Sequence, residues 1–317
     1  MRNPFDQFSP RFSLAYSIND RLSFNFNTGR YFQLPPYTVM GYQEGGILIN
    51  QQNGLRFIRN DQLVAGFEYN AASSSKISIE GYYKRYANYP FLTRDQINLA
   101  NLGSDFGVIG NEPAISSGEG ETLGLEFLFQ QRLFRGFYGI ASYTLGFSEF
   151  EDRNETLIPS AWDARHILNV TAGKKFGKNW EVGVNWRFQT GLPFTPFSSD
   201  SDLVLNWDVN GRGIFDYALL NTQRTGNINS FDIRVDKKWF FKKWNLNIYL
   251  DIENVNGNVI GFPDLILDRP LDDNNMPIGN GVIVNPDAPI GEQRYLLKEI
   301  GTATGNALPS IGMQIEI

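Results

Sequence analysis

The chain has 317 residues, 42% of them apolar, with 25 Phe, 14 Tyr and 6 Trp, no cysteine, one histidine and a formal net charge of −6. These values exclude a disulfide scaffold, thiol chemistry and a Cys- or His-rich metal centre, and they argue against a nucleic-acid partner, which needs a basic surface to displace counterions from phosphates. No run approaches the roughly 18–20 continuous apolar residues of a membrane-spanning helix, and the apolar content is too high for disorder, so a soluble β or α/β protein remains, or a membrane β-barrel.

Apolar and polar residues alternate in short segments from end to end, the signal of half-exposed strands. In chain order, the apolar sets are Phe12, Leu14, Tyr16 and Ile18, then Leu22, Phe24 and Phe26, then Leu63, Ala65, Phe67 and Tyr69. Ile77, Ile79 and Tyr83 follow, then Leu123, Leu125, Phe127 and Phe129, a less regular stretch over 137–147, and Leu168, Val170 and Ala172. The segment 180–190 sets Trp180, Val182, Val184, Trp186 and Phe188 against Glu181, Gly183, Asn185, Arg187 and Gln189. Phe231, Ile233 and Val235 come next, then Leu246, Ile248, Leu250 and Ile252, and the chain ends on Ile311, Met313, Ile315 and Ile317. This pattern predicts about eleven strands and no amphipathic helix.

The connections alternate as strictly as the side chains. Tight turns at Asn19-Asp20, 71–75, 132–136, 177–179 and 241–243 alternate with long segments at about 31–61, 86–120, 150–164, 191–229 and 254–307. All long loops therefore leave one end of the sheet and all short turns the other, as in outer-membrane barrels. Compact soluble domains rarely carry even one structureless loop of that length.

Alternation alone does not say which face is wet, because a soluble sandwich and a membrane barrel give the same string. Three features favour the barrel. Aromatics gather beside the tight turns (Phe134, Phe137, Phe176, Trp180, Trp239, Phe240, Phe241, Trp244), as an interfacial girdle requires. Strand charges such as Glu68, Glu80, Glu126, Glu181, Arg187 and Asp232 fall on the polar face, and the last strand, PSIGMQIEI, alternates up to its final residue. The predicted class is all-β, a transmembrane antiparallel up-and-down β-barrel wall, with Leu246, Ile248, Leu250 and Ile252 on a convex, lipid-facing side. A soluble sandwich or propeller would bury them.

With those residues in place, WDARHILNVTAGKKFGKNWEVGVNWRFQTGLPFTP (162–196) resembles the late barrel of TonB-dependent outer-membrane receptors of the Bacteroidota type. FDIRVDKKW (231–239), NIYLDIENV (247–255) and SPRFSLAYSINDRLSFNFNTGRYFQLPPY (9–37) continue the same pattern. The resemblance covers nearly the whole chain through the order and spacing of its motifs, although Ile317 stands where many outer-membrane proteins end in Phe. It implies energised uptake of a scarce ligand such as a siderophore, oligosaccharide or peptide. The implied partners are outer-membrane lipid, the TonB complex reached through a plug, a surface lipoprotein and the small-molecule or oligomeric ligand, with no cofactor and no nucleic acid.

Counting strands leads to the same place. An odd number puts the two chain ends on opposite sides of the membrane, single-chain bacterial barrels close with even numbers, and plugged transporters have about 22 strands. Residues 1–317 are therefore expected to be the C-terminal half of such a barrel, with plug domain and signal peptide absent. A standalone pore or autotransporter-like translocator of about twelve strands is the alternative, and it needs residues 1–8 or part of a loop as another strand. An outer-membrane lipase or protease is the third reading.

Candidate ligand contacts are the loop aromatics Tyr37, Tyr42, Phe194, Phe197, Trp207 and Tyr217, which can also simply pack the loops together. His166 shares parity with Leu168 but has no serine nucleophile motif beside it, so a structural role at the rim is expected. Asp268, Asp272 and Asp273 lack the alternating ligand spacing of a calcium loop. Lys237, Lys238, Lys242 and Lys243, between Trp239 and Trp244, read as cations at the phospholipid interface.

Overall fold

The computed structural model of the protein describes residues 7–102, 109–258, 261–301 and 305–317. Eleven strands follow one another in a single antiparallel path: β1 (Arg11–Ser17), β2 (Leu22–Gln33), β3 (Ile58–Ala72), β4 (Ser75–Leu92), β5 (Ala114–Phe134), β6 (Phe137–Glu151), β7 (His166–Phe176), β8 (Trp180–Gln189), β9 (Ile228–Phe240), β10 (Asn245–Glu253) and β11 (Leu308–Glu316). Two short strands, Ile97–Asn98 on β4 and Leu157–Pro159 on β6, bring the sheet to thirteen. Order in space equals order in sequence, and β1 pairs with β2 alone and β11 with β10 alone, so among the described residues the sheet is open. Residues 1–6, most of the extra strand that a twelve-stranded pore would need, lie outside the described residues.

Turn chemistry fixes the short end. Asn19 Oδ1 accepts from the Arg21 and Leu22 amides at 2.9 and 3.0 Å, closing the first hairpin as an Asn turn does. Arg135 and Gly136 both have positive φ, +50° and +80°, the backbone that lets a two-residue turn follow the right-handed twist of its strands.

Register then carries the alternation across the wall. One cross-strand row runs Tyr16, Phe24, Phe67, Ile79, Phe127, Tyr143, Leu168 and Phe188 from β1 to β8. Another runs Val182, Val235, Leu250 and Ile311 from β8 to β11. Neither row contains a charge. Leu246, Ile248, Leu250 and Ile252 share this continuous face, where Ile311 and Met313 are 81% and 66% exposed. Charge returns on the same face at its two edges, toward the long loops with Arg30–Asp61 at 2.5 Å and Arg85–Glu119 at 2.9 Å, and beside the short turns with Lys174 and Lys237. Between Leu22 and Thr28 the uncharged band measures roughly 20 Å along the strand, close to the apolar height of an outer-membrane barrel.

Among the described residues no second layer covers this face. The buried apolar clusters of the described residues, Val39–Leu92–Leu99–Ala114 and Val204–Trp207–Tyr295, involve the long loops and the strand ends beside them. No helix of the described residues is long and apolar enough to cross a membrane. Among the described residues three short α-helices form, at Tyr37–Met40, Ile49–Gln52 and Val204–Asn210, where the sequence predicts loop.

The strands are longer than their alternation suggests. β4 has 18 residues and β5 has 21, about twice the 9–11 that cross a bilayer, and the expected loop over 86–120 shrinks to 93–113. Past the membrane neither face needs to be apolar, so pairing continues where the period-two signal has faded.

Candidate functional site

The polar face carries the chemistry. Near the short turns it is a lattice of paired charges: Lys76–Glu68 at 2.5 Å, Lys238–Glu181 at 3.6 Å, and Arg234 between Asp236 (2.9 Å) and Asp251 (3.6 Å). Rings lie flat over glycines in this lattice. A Cβ on Gly173 would collide with the Tyr138 ring, and one on Gly312 with the Tyr249 ring, over which Arg234 sits at 3.8 Å.

Toward the long loops the charges give way to aromatics. Tyr86, Tyr89 and Phe150 form a closed trio, with centroids 6.4, 5.3 and 5.0 Å apart. Register places Tyr31 and Asn60 beside Tyr86 on neighbouring strands, and Gly120 opposite Phe150 leaves the space that ring fills. With Tyr82, Lys84, Thr122, Thr144 and Ser148 these side chains line a hollow of about 580 Å³, within the range of small-molecule sites. The Lys84 ammonium lies 5.1 Å from the Tyr82 ring centroid. Aromatic faces, hydroxyls and one cation suit a ligand that both stacks and accepts hydrogen bonds.

Buried asparagines close the loops over this end. Asn50 donates to the Val39 and Glu112 carbonyls (2.7 and 2.8 Å) and accepts from the Ala114 amide at 2.7 Å. Asn101 reaches the Phe150 and Glu151 carbonyls (3.3 and 3.2 Å), and Asn221 donates to Asn101 and Pro159. Asp163 of the WDARH segment, its side chain fully buried, accepts from the Ser148 amide at 3.0 Å and pairs with Arg165 (3.2 Å) and Arg224. That aspartate ties the 152–165 turn to the 190–227 loop.

The six loop aromatics do not converge on one point. Phe197 stacks on Phe215 at 5.0 Å, and Phe215 contacts Tyr217 at 6.3 Å, so those two candidates share a cluster. Phe194 lies opposite Gln223 in a small hairpin, and Tyr37 is 82% exposed. Tyr42 and Trp207 are buried at 9% and 6% exposure. Trp207 packs with Val204 and Tyr295, and the Tyr42 hydroxyl donates to Glu44 (2.5 Å), which raises its pKa, and accepts from Arg94 at 3.0 Å. The hollow went unforeseen, although a signal was available: Tyr82, Tyr86 and Phe150 are aromatics at the polar parity of their strands.

His166 sits at the loop-side edge of the apolar face opposite Leu145, its Nδ1 2.8 Å from the Tyr143 hydroxyl and its ring stacked on that tyrosine. Asp272 is committed to its own turn, accepting from the Asn274 and Met276 amides at 2.9 and 2.7 Å. Among the described residues no group of three or more metal-ligating side chains comes together.

Three solved structures share the fold at low identity. The ferric citrate transporter FecA in its unliganded form matches 97% of this chain and 38% of its own, at 15% identity and a TM-score of 0.58. The ferripyoverdine receptor of the Pseudomonas aeruginosa outer membrane, bound to ferripyoverdine, matches 79% and 29% at 15% identity and a TM-score of 0.56. The ferric-catecholate import receptor Fiu of E. coli K12 matches 78% and 30% at 10% identity and a TM-score of 0.55. The chain thus spans about a third of the length of these proteins, and no curated protein sequence matches it. In these barrels an uncharged outer face meets lipid and the polar face lines the lumen. The family model described as "TonB dependent receptor-like, beta-barrel" matches residues 2–255, and the chain belongs to that family of bacterial outer-membrane receptors.

Proposed function

We propose that this chain supplies wall and loops to a transporter that takes up a scarce ligand across the outer membrane with energy delivered through TonB. In this reading residues 1–317 are the C-terminal half of the barrel, the preceding half closes it, and a plug contacted by TonB fills the lumen. The observation that carries it is a tyrosine-lined hollow on the polar face, roofed by asparagine-stapled loops and backed by an uncharged apolar face.

The ligand class is one that stacks and hydrogen-bonds, a siderophore, oligosaccharide or peptide. Tyr37, Phe194, Phe197 and Tyr217 make first contact at the loops, Tyr86 and Phe150 receive the ligand below, and Tyr42 and Trp207 hold the loops in shape. A surface lipoprotein docks over the loops. The likeness to importers of ferric catecholates and ferric citrate supports iron complexes as the first compounds to try.

The test is uptake by intact cells of radiolabelled iron siderophores, with labelled oligosaccharides and peptides in parallel. One labelled compound is expected to enter the wild type, to stop when an uncoupler collapses the proton gradient, and to enter at least tenfold more slowly in the double variant Tyr86→Ala/Phe150→Ala. Entry that survives the uncoupler would show a passive pore instead.

A further inference from the structure

Three successive short turns, joining β5 to β6, β7 to β8 and β9 to β10, lie side by side along one stretch of rim. The segments 132–138, 174–181 and 236–244 carry nine Lys and Arg against two carboxylates, Glu181 and Asp236. Both acids face the lumen side and are already paired, Glu181 with Lys238 and Tyr138, Asp236 with Arg234 and Asn247. Two lysines instead stand on the apolar face. Lys174 sits in register with Phe137 and Val182, and Lys237 with Trp180 and Ile248.

The Lys237 ammonium is held 5.3 Å from the Trp180 centroid and 5.4 Å from that of Trp239, and it donates to the Lys178 carbonyl. Around the next turn Phe241 stacks on Trp244 at 4.1 Å, flanking Lys242 and Lys243. Among the described residues Lys174, Lys242 and Lys243 have no ion-pair partner. The other short turns differ: Asp20 sits beside Arg21, and Lys76 is paired with Glu68.

From this we infer that the rim between β5 and β10 is a binding surface for anionic glycerophospholipid headgroups, with Lys174, Lys237, Lys242 and Lys243 receiving the phosphates and the tryptophans seating the glycerol region. Charge complementarity selects the occupant. An acyl chain lying along β8 and β9, past Val184 and Ile233 and then Val182 and Val235, brings its headgroup to the row of Trp180 and Lys237, where a cation on the lipid face loses little hydration and gains an anion. A zwitterionic headgroup brings its own cation and gains less. This inference rests on the wall lying in a bilayer with its short turns at one surface.

The test is tryptophan quenching in the reconstituted protein by dibrominated phosphatidylglycerol against dibrominated phosphatidylcholine. The wild type should prefer the anionic lipid severalfold, and salt should weaken the preference. Lys174→Gln/Lys237→Gln/Lys242→Gln/Lys243→Gln should bring that preference ratio down to about one, while Arg21→Gln/Lys76→Gln leaves it unchanged. If the quadruple variant fails to assemble, Lys237→Gln alone and the salt series read the same quantity. Equal quenching by both lipids would overturn the inference while leaving the wall in lipid, since phosphatidylcholine still quenches. A preference untouched by the lysine changes, or abolished by inorganic phosphate, would overturn it as well. Absence of quenching by either lipid would overturn the membrane reading itself.

Discussion

Asn221 donates one amide hydrogen to the Asn101 carbonyl at 2.9 Å, across 120 residues of chain, and the other to Pro159 at 3.0 Å. With 6% of its surface exposed, this one side chain joins three separate loop segments above the barrel wall.

Asn221→Ala leaves two carbonyls without their donor at a cost of about 1–3 kcal/mol each, paid by the loops and not by the strands. Limited proteolysis should cut 190–227 and 93–113 several times faster in the variant, with unchanged strand circular dichroism. Equal cleavage rates would show that the staple holds nothing.

Arg224 and Arg165 both pair with Asp163, but Arg224 also donates to the Asp163 and Gly191 carbonyls. Arg224→Ala should therefore destabilise the loops more than Arg165→Ala, by up to about 3 kcal/mol, because it strips the main partner from a buried carboxylate. Trp162, next to that aspartate, reports loop unfolding by fluorescence in a urea titration. Equal midpoints for the two variants would contradict the assignment.

Burial, aided by the charge of Asp95, holds the Glu112 carboxyl above the ordinary carboxylate range, and its Oε2 is buried without a hydrogen bond. Because the folded pKa is raised, the charged form is penalised: the loops lose stability as pH rises from the unfolded-state value through the folded one, and regain it as pH falls. Glu112→Gln should flatten this dependence and stabilise the loops at neutral pH, as read from loop proteolysis at acidic and neutral pH. A variant that keeps the wild-type pH profile would exclude Glu112 as its source.

On the wall the two faces should respond oppositely to the same change. Leu250→Arg places a cation in the uncharged band beside Val235 and Ile311, one same-face row in from Lys237, at a cost between the roughly 0–1 kcal/mol of the interface and the about 2–4 kcal/mol of the bilayer midplane. Asn247→Arg, three residues away on the wet face, keeps a donor beside Asp236 and should be tolerated. Heat-modifiable migration of the assembled protein in gels distinguishes them, and tolerance of both would place the apolar face out of lipid.

Much of this protein is legible in its sequence, because the physics involved is local. A period of two dictates a strand, the strict alternation of short and long connections dictates one up-and-down sheet, and uncharged apolar residues at one parity identify a face that could meet lipid. Whether that face was buried or bare depended on the tertiary structure, which shows no second layer over Leu250 or Ile311 and places the buried clusters among the loops and the adjoining strand ends. The lengths of β4 and β5, the burial of Tyr42 and Trp207, and the convergence of Tyr86, Tyr89 and Phe150 were also decided there. Each depends on register or on contacts between distant segments, as does the Asn221–Asn101 bond across 120 residues, and a contact between distant segments leaves no periodic trace in either of them.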